Sequence, residues 1–183
     1  VTILTQVKNI RKIEVKGNVE LILVQAPTES IKVYDSYYAK NALVQQEDGV
    51  LRISSFQKEP LIVAVYVRDL AVLEAADNAT VKTSGKVSFL SLTVNLKDNA
   101  TADINTNTIN LYTNINDKAN LKIAGNTVEY YAVIGTGAKM SMDKFAADAT
   151  SINSVATVYA KSKVKAQTLT DVDLSDDLLS KLL

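Results

Sequence analysis

Apolar residues recur along this chain at a spacing of two, the period of a β-strand whose alternate side chains face opposite sides. "IEVKGNVELIL", 13–23, alternates through Ile13, Val15, Val19, Leu21 and Leu23, with Gly17 on the same inward phase. "SIKVYD", "GVLRIS" and "PLIVAVYV" read as further strands, punctuated by the turn words "APTES", "EDG" and "QKEP". Over the second half a helical reading fails, because the residues between the apolar positions are mostly Asn, Thr, Lys and Asp, many of them poor helix formers.

In that second half the alternation is periodic at a longer range. The word Asp-Asn-Ala-Thr stands at 77–80 and again at 98–101. Anchored on its alanine, the series Ala79, Ala100, Ala119, Ala138 and Ala156 advances by 21, 19, 19 and 18 residues. Two positions after each anchor come Val81, Ala102, Leu121, Met140 and Val158. Four before come Ala75, Leu96, Ile115, Ile134 and Ile152. Eight before come Ala71, Leu92, Leu111 and Tyr130, and then Asp148 breaks the column. Such columns bury an apolar face only when successive units stack. The Asp-Asn pair interrupts the alternation where the chain turns, with Asn tolerating the left-handed backbone region.

The expected fold is therefore all-β: one domain over 1–183, a right-handed parallel β-helix (β-solenoid) of roughly seven to nine coils of about 18–21 residues. Residues 1–70 supply less regular N-terminal strands and 71–174 the regular coils. Residues 175–183 read as a short capping helix, with Ser175 as N-cap, Asp176 and Asp177 at its positive end, and Leu178, Leu179, Leu182 and Leu183 covering the last coil.

Composition narrows function mainly by exclusion. The 183 residues carry 20 basic and 20 acidic side chains, so no net charge argues for nucleic acid or a membrane surface as partner. There is no Cys, His or Trp, which removes thiol chemistry, zinc-thiolate sites and Ser-His-Asp catalysis. No apolar run reaches the ~18–20 residues that span a bilayer. The start at Val1 is compatible with a trimmed signal peptide.

The N-terminal third resembles a known family. In order, Val15-Lys16-Gly17-Asn18-Val19, Ile31-Lys32-Val33 and Asp48-Gly49-Val50-Leu51-Arg52-Ile53 are similar to the opening of the putative auto-transporter adhesin, head GIN domain family, found mainly in Bacteroidetes. The downstream repetitive half is similar to that family too. The chain departs from it in having only six Gly, with Asp-Asn or Asp-Lys where the family often has Gly-Ser-Gly corners. The resemblance implies an exported cell-envelope protein, periplasmic, outer-membrane-associated or at the surface, with a β-helix-like fold, no established enzyme activity and no transferable site residues.

Three groups invite chemistry. Asp77, Asp98 and Asp117 fall in one column, where closely stacked carboxylates repel unless a hard cation such as Ca²⁺ neutralises them; as plain turn residues they splay into water instead. Glycoside hydrolysis needs two carboxylates of unequal pKa across a cleft, which a regular corner does not differentiate. Tyr34, Tyr37 and Tyr38 cluster in "VYDSYYAKN" as a candidate glycan or protein contact, or as packing over the N-terminal strands. Asn78-Ala79-Thr80 and Asn99-Ala100-Thr101 match the N-glycosylation pattern, but the recurring corner already accounts for both. Lys8, Arg11, Lys12, Lys16, Lys161, Lys163 and Lys165 read as solvated strand faces. The expected function is a non-catalytic envelope or surface module binding a glycan or a surface or matrix protein, without a cofactor. A structural or self-assembling element is the alternative, and a carbohydrate-active enzyme comes last.

Overall fold

The computed structural model describes residues 1–34 and 42–154, and beyond them three two-residue strands at 158–159, 163–164 and 168–169. The N-terminal strands are β1 (Thr2–Leu4), β2 (Lys12–Gly17), β3 (Val19–Gln25), β4 (Ser30–Tyr34), β5 (Ala42–Glu47), β6 (Val50–Ser55) and β7 (Leu61–Val67). There follow β8 (Val72–Ala75), β9 (Thr80–Thr83), β10 (Val87–Ser88) and β11 (Ser91–Leu96). Three long strands come next, β12 (Thr101–Ile115), β13 (Asn120–Ile134) and β14 (Lys139–Ser154), and then the short β15 (Val158–Tyr159), β16 (Lys163–Val164) and β17 (Thr168–Leu169).

All of these strands are hydrogen-bonded into one mixed sheet that curls as a half-barrel round the core. This corrects the expectation of a right-handed parallel β-helix with a capping helix. No helix occurs among the described residues, and 175–183 lies outside them. Two features of the N-terminal third overturn the solenoid. First, β1 with β4, β4 with β7 and β5 with β6 pair antiparallel. Asp48 and Gly49, at φ 48° and 79°, make the two-residue turn with both φ positive that joins β5 to β6 as a hairpin. Second, the strands do not stack in chain order. β2 lies between β6 and β8, and β3 between β7 and β9, all parallel. Segment 12–25 is thus enclosed by segments that come later in the chain. Gly17 permits the close approach, since a Cβ there would sit 2.1 Å from the Ser55 carbonyl oxygen.

From β8 onward the pairings are parallel. Val81 partners Ala102, which partners Leu121 and then Met140, and Ala75 leads likewise to Leu96, Ile115 and Ile134. Leu21, Leu73, Leu92, Ile115 and Leu121 are fully buried in one continuous apolar core. Burial at this level is worth roughly 1.5–3 kcal/mol for a Leu or Ile side chain. The exception at Asp148 arises because the 18-residue step to the last anchor is not the register of β14, which runs at 19 and then 20 residues from β13. Lys122 pairs with Ser141 but Ala124 with Lys144, so one extra residue bulges out of β14. The downstream register shifts with it: Thr150, not Asp148, faces Tyr130, and Ile152 faces Ala132 rather than Ile134.

Tight turns separate the strands at the anchors Ala79, Ala100, Ala119 and Ala138. The N–H groups of Ala79, Ala100, Ala119 and Ala138 donate to the carbonyls of Ala76, Lys97, Asn116 and Gly135. The left-handed residue in the first three is Asp77, Asp98 or Asp117 at φ 57–58°, not the neighbouring Asn; in the fourth it is Gly137 at φ 86°. Among the described residues no helix is long and apolar enough to cross a membrane.

Candidate functional site

Strict alternation that sends Leu73, Leu92, Val94, Leu111 and Ile115 inward must send their neighbours outward. In-register parallel pairing then aligns those outward residues into columns about 4.8 Å apart per step. One column reads Lys12, Val72, Thr93, Tyr112, Tyr131 and Ser151. The next reads Glu14, Glu74, Asn95, Asn114, Val133 and Asn153.

The first column holds the most conspicuous exposed feature of the described residues. Tyr112 and Tyr131 stack with centroids 5.2 Å apart and planes 10° from parallel, yet remain 40% and 42% exposed. The Tyr131 hydroxyl donates to Glu129 Oε2 at 3.3 Å, and the Glu129 charge raises the phenol's pKa above its ordinary value. A depression of about 260 Å³ surrounds the pair, lined by Thr93, Asn95, Asn114, Val133, Ser151 and Asn153 among others. Its lining includes no charged side chain. Beside it a second depression of about 340 Å³ shares Asn95 and Asn114 and runs to Glu14, Lys16, Glu74 and Lys97.

At the charged end of this surface the two glutamates are paired with cations. The Lys12 ammonium bonds Glu14 at 3.0 Å and Glu74 at 2.9 Å, and Arg52 lies 3.3 Å from Glu14. Bonding to Glu74 first, then Glu14, raises the Lys12 pKa, and the Lys12 bond lowers that of Glu14. A glycosidase acid needs the opposite shift. Asn95 Nδ2 donates to Glu74 Oε1 at 3.4 Å, and Asn116 Nδ2 to Asn114 Oδ1 at 3.0 Å, so the amides are oriented by neighbours.

The residues singled out from sequence lie elsewhere. Asp77, Asp98 and Asp117 do form a column, but its carboxylates bond backbone. Asp117 Oδ2 accepts from the Asp98 N–H and Asp98 Oδ2 from the Asp77 N–H, both at 3.1 Å. Asp77 Oδ2 accepts from the Gly17 N–H at 3.0 Å, which ties the corner to the enclosed segment. No group of three or more His, Cys, Asp or Glu among the described residues is arranged to hold a metal ion. Tyr34 ends β4 opposite Ile62, exposed, and is not brought to the Tyr112–Tyr131 pair; Tyr37 and Tyr38 lie outside the described residues. Sequence reasoning passed over Tyr112 and Tyr131, although their separation equals the 19-residue step between anchors and both sit one residue after an inward column.

A family model described as "Putative auto-transporter adhesin, head GIN domain" matches residues 9–175. No curated protein matches the chain. Among solved structures it is similar to a putative adhesin from Parabacteroides distasonis, at 15% identity and TM-score 0.61, covering 92% of each chain. A putative adhesin from Parabacteroides merdae gives 16% and 0.54, covering 92% of this chain and 94% of that one. A putative lipid binding protein from Parabacteroides distasonis gives 9% and 0.54, covering 92% and 95%. At these identities the likeness is one of fold.

Proposed function

This chain belongs to the putative auto-transporter adhesin, head GIN domain family, and from that membership we propose that it is a non-catalytic binding module, exported to the cell envelope or surface. The ligand, a glycan or a surface protein, lies on the outer face of the sheet across β8, β11, β12, β13 and β14. The observation that carries this reading is the exposed Tyr112–Tyr131 stack in an uncharged depression. Two large aromatic rings left in water offer contact area at low cost in side-chain entropy, a common feature of binding surfaces. The family description and the adhesin names of two similar structures support a binding role and leave the ligand open.

The corner carboxylates already serve backbone N–H groups, so binding at the tyrosine face is independent of calcium. The test is a screen of the purified chain against immobilised glycans and matrix proteins, with calcium and then with chelator. Binding lost on replacing Tyr112 and Tyr131 together by Ala, and unchanged by chelator, supports the reading. Binding abolished by chelator or by Asp98→Asn would move the site to Asp77, Asp98 and Asp117 and overturn it.

A further inference from the structure

We infer that the trough over β11 is a saccharide subsite, and that its ligand is a short, uncharged, hydroxyl-rich glycan of one to two sugar rings. This rests on the binding-module reading above and adds the class of ligand and its contacts.

Side chains smaller than tyrosine leave space beside Tyr112. In the Tyr column, Thr93 and Val72 precede Tyr112, so the ring face of Tyr112 that is not covered by Tyr131 looks along the column over Thr93. A pyranose ring fits that space, with its apolar C–H face against the aromatic ring and its edge on the Thr93 side chain. Along the strand the floor continues from Thr93 to Asn95, with Glu74 on the β8 side and Asn114 on the β12 side. Two amides and a carboxylate, converging on a floor that begins at an aromatic face, form the donor and acceptor set that vicinal hydroxyls require. The amides are pre-oriented, Asn95 by Glu74 and Asn114 by Asn116, so little ordering is needed on binding.

Charge selects against other ligands. The depression around the tyrosines is lined without charge, and the Glu74 and Glu14 carboxylates share the Lys12 ammonium. Thr93 and the tyrosine depression offer an anionic lipid headgroup or an acidic peptide no cation; Lys16 and Lys97 line only the adjoining depression, beyond Asn95 and Asn114. A protein hot spot needs a pocket that excludes water around an anchoring side chain, whereas this trough is shallow and lined by amides and hydroxyls.

The experiment is a titration of the whole chain with neutral mono-, di- and tetrasaccharides of glucose, mannose and galactose. It is followed by calorimetry and by tyrosine fluorescence, since the chain contains no Trp. Expected are saturable binding of at least one series, no gain beyond the disaccharide, and affinity unchanged when salt rises from about 0.05 to 0.5 M. Tyr112→Ala should weaken binding by about tenfold or more. Asn114→Ala, exposed and away from the core, should weaken it several-fold with the melting temperature held. Absence of binding to all three series, or binding that survives both substitutions, overturns the subsite. A parallel arm with matrix proteins and with neutral and anionic phosphatidylcholine-based vesicles separates the two claims. Capture there that is lost in Tyr112→Ala overturns the glycan and leaves the binding module standing, while no binding in any arm removes both.

Discussion

The corner at Asp98 allows a prediction in which two physical terms separate. Asp98 holds a left-handed backbone at φ 58°, and its Oδ2 accepts the Asp77 N–H at 3.1 Å. Replacing it by Ala removes the acceptor, at ~1 kcal/mol for a part-buried, partly solvated bond. It also puts a Cβ-bearing residue without a local polar group into the left-handed region, at roughly 1 kcal/mol more. Asp98→Gly loses the bond but relaxes the backbone, leaving about 1 kcal/mol of destabilisation. Asp98→Asn keeps both a carbonyl acceptor and tolerance of positive φ, and should lie within about 0.5 kcal/mol of the parent. The order of stability is therefore Asn above Gly above Ala. For a chain of this size the Ala variant should melt ~4–8 °C below the parent. Urea and thermal unfolding followed by circular dichroism measure the series. Equal stability of the Ala and Gly variants would refute the backbone contribution, and an Ala variant as stable as the parent would refute the whole account of the corner.

Three further outcomes follow from particular contacts. At Gly125, φ 104°, an added Cβ would meet the Thr106 carbonyl oxygen at 2.0 Å, so Gly125→Ala should cost about 3 kcal/mol or more in urea unfolding. Ile115→Asp places a charge among fully buried side chains and should abolish the cooperative melt; a melt within a degree or two of the parent would show that Ile115 does not face the core. Glu14 has its pKa lowered from 4.5, chiefly by Lys12, so its charge stabilises the fold above the ordinary glutamate range and loses that contribution as pH falls through the depressed value. Glu14→Gln should therefore be less stable than the parent at pH 7, and the gap should close on acidification below about pH 4; a gap constant from pH 7 to 3 would contradict the ion-pair origin.

How much was legible in the sequence depends on the range of the interaction. Alternation at two marks the strands and their inward residues, because burying one face of a strand is a local demand that Ile13, Leu21, Leu92 and Leu121 each meet. The 19-residue step between anchors was enough to align Ala102 with Leu121 and Met140, since parallel neighbours of equal length fall into register. The wrap of the chain was not legible. Nothing local in "IEVKGNVELIL" says that it will be enclosed between 50–67 and 72–83, because parallel neighbours on either side satisfy the same backbone groups equally well. The extra residue in β14 was hidden too: the last anchor step of 18 pointed to Asp148 opposite Tyr130, whereas the register there is 20 and Thr150 takes that place.

The candidate site divides in the same way. The sequence by itself determined that the chain forms strands, which residues turn inward, that the recurring polar or Gly words mark corners, and that the corner carboxylates share a column, while the left-handed position it assigned to Asn is taken by Asp. Only the tertiary structure decided that those carboxylates are occupied by backbone N–H groups, that Tyr34 stands apart, and that Tyr112 and Tyr131 meet face to face above an uncharged floor. The physical reason is that burial is set residue by residue, whereas a binding surface consists of outward side chains, which local patterning leaves free and only the packing of distant strands brings together.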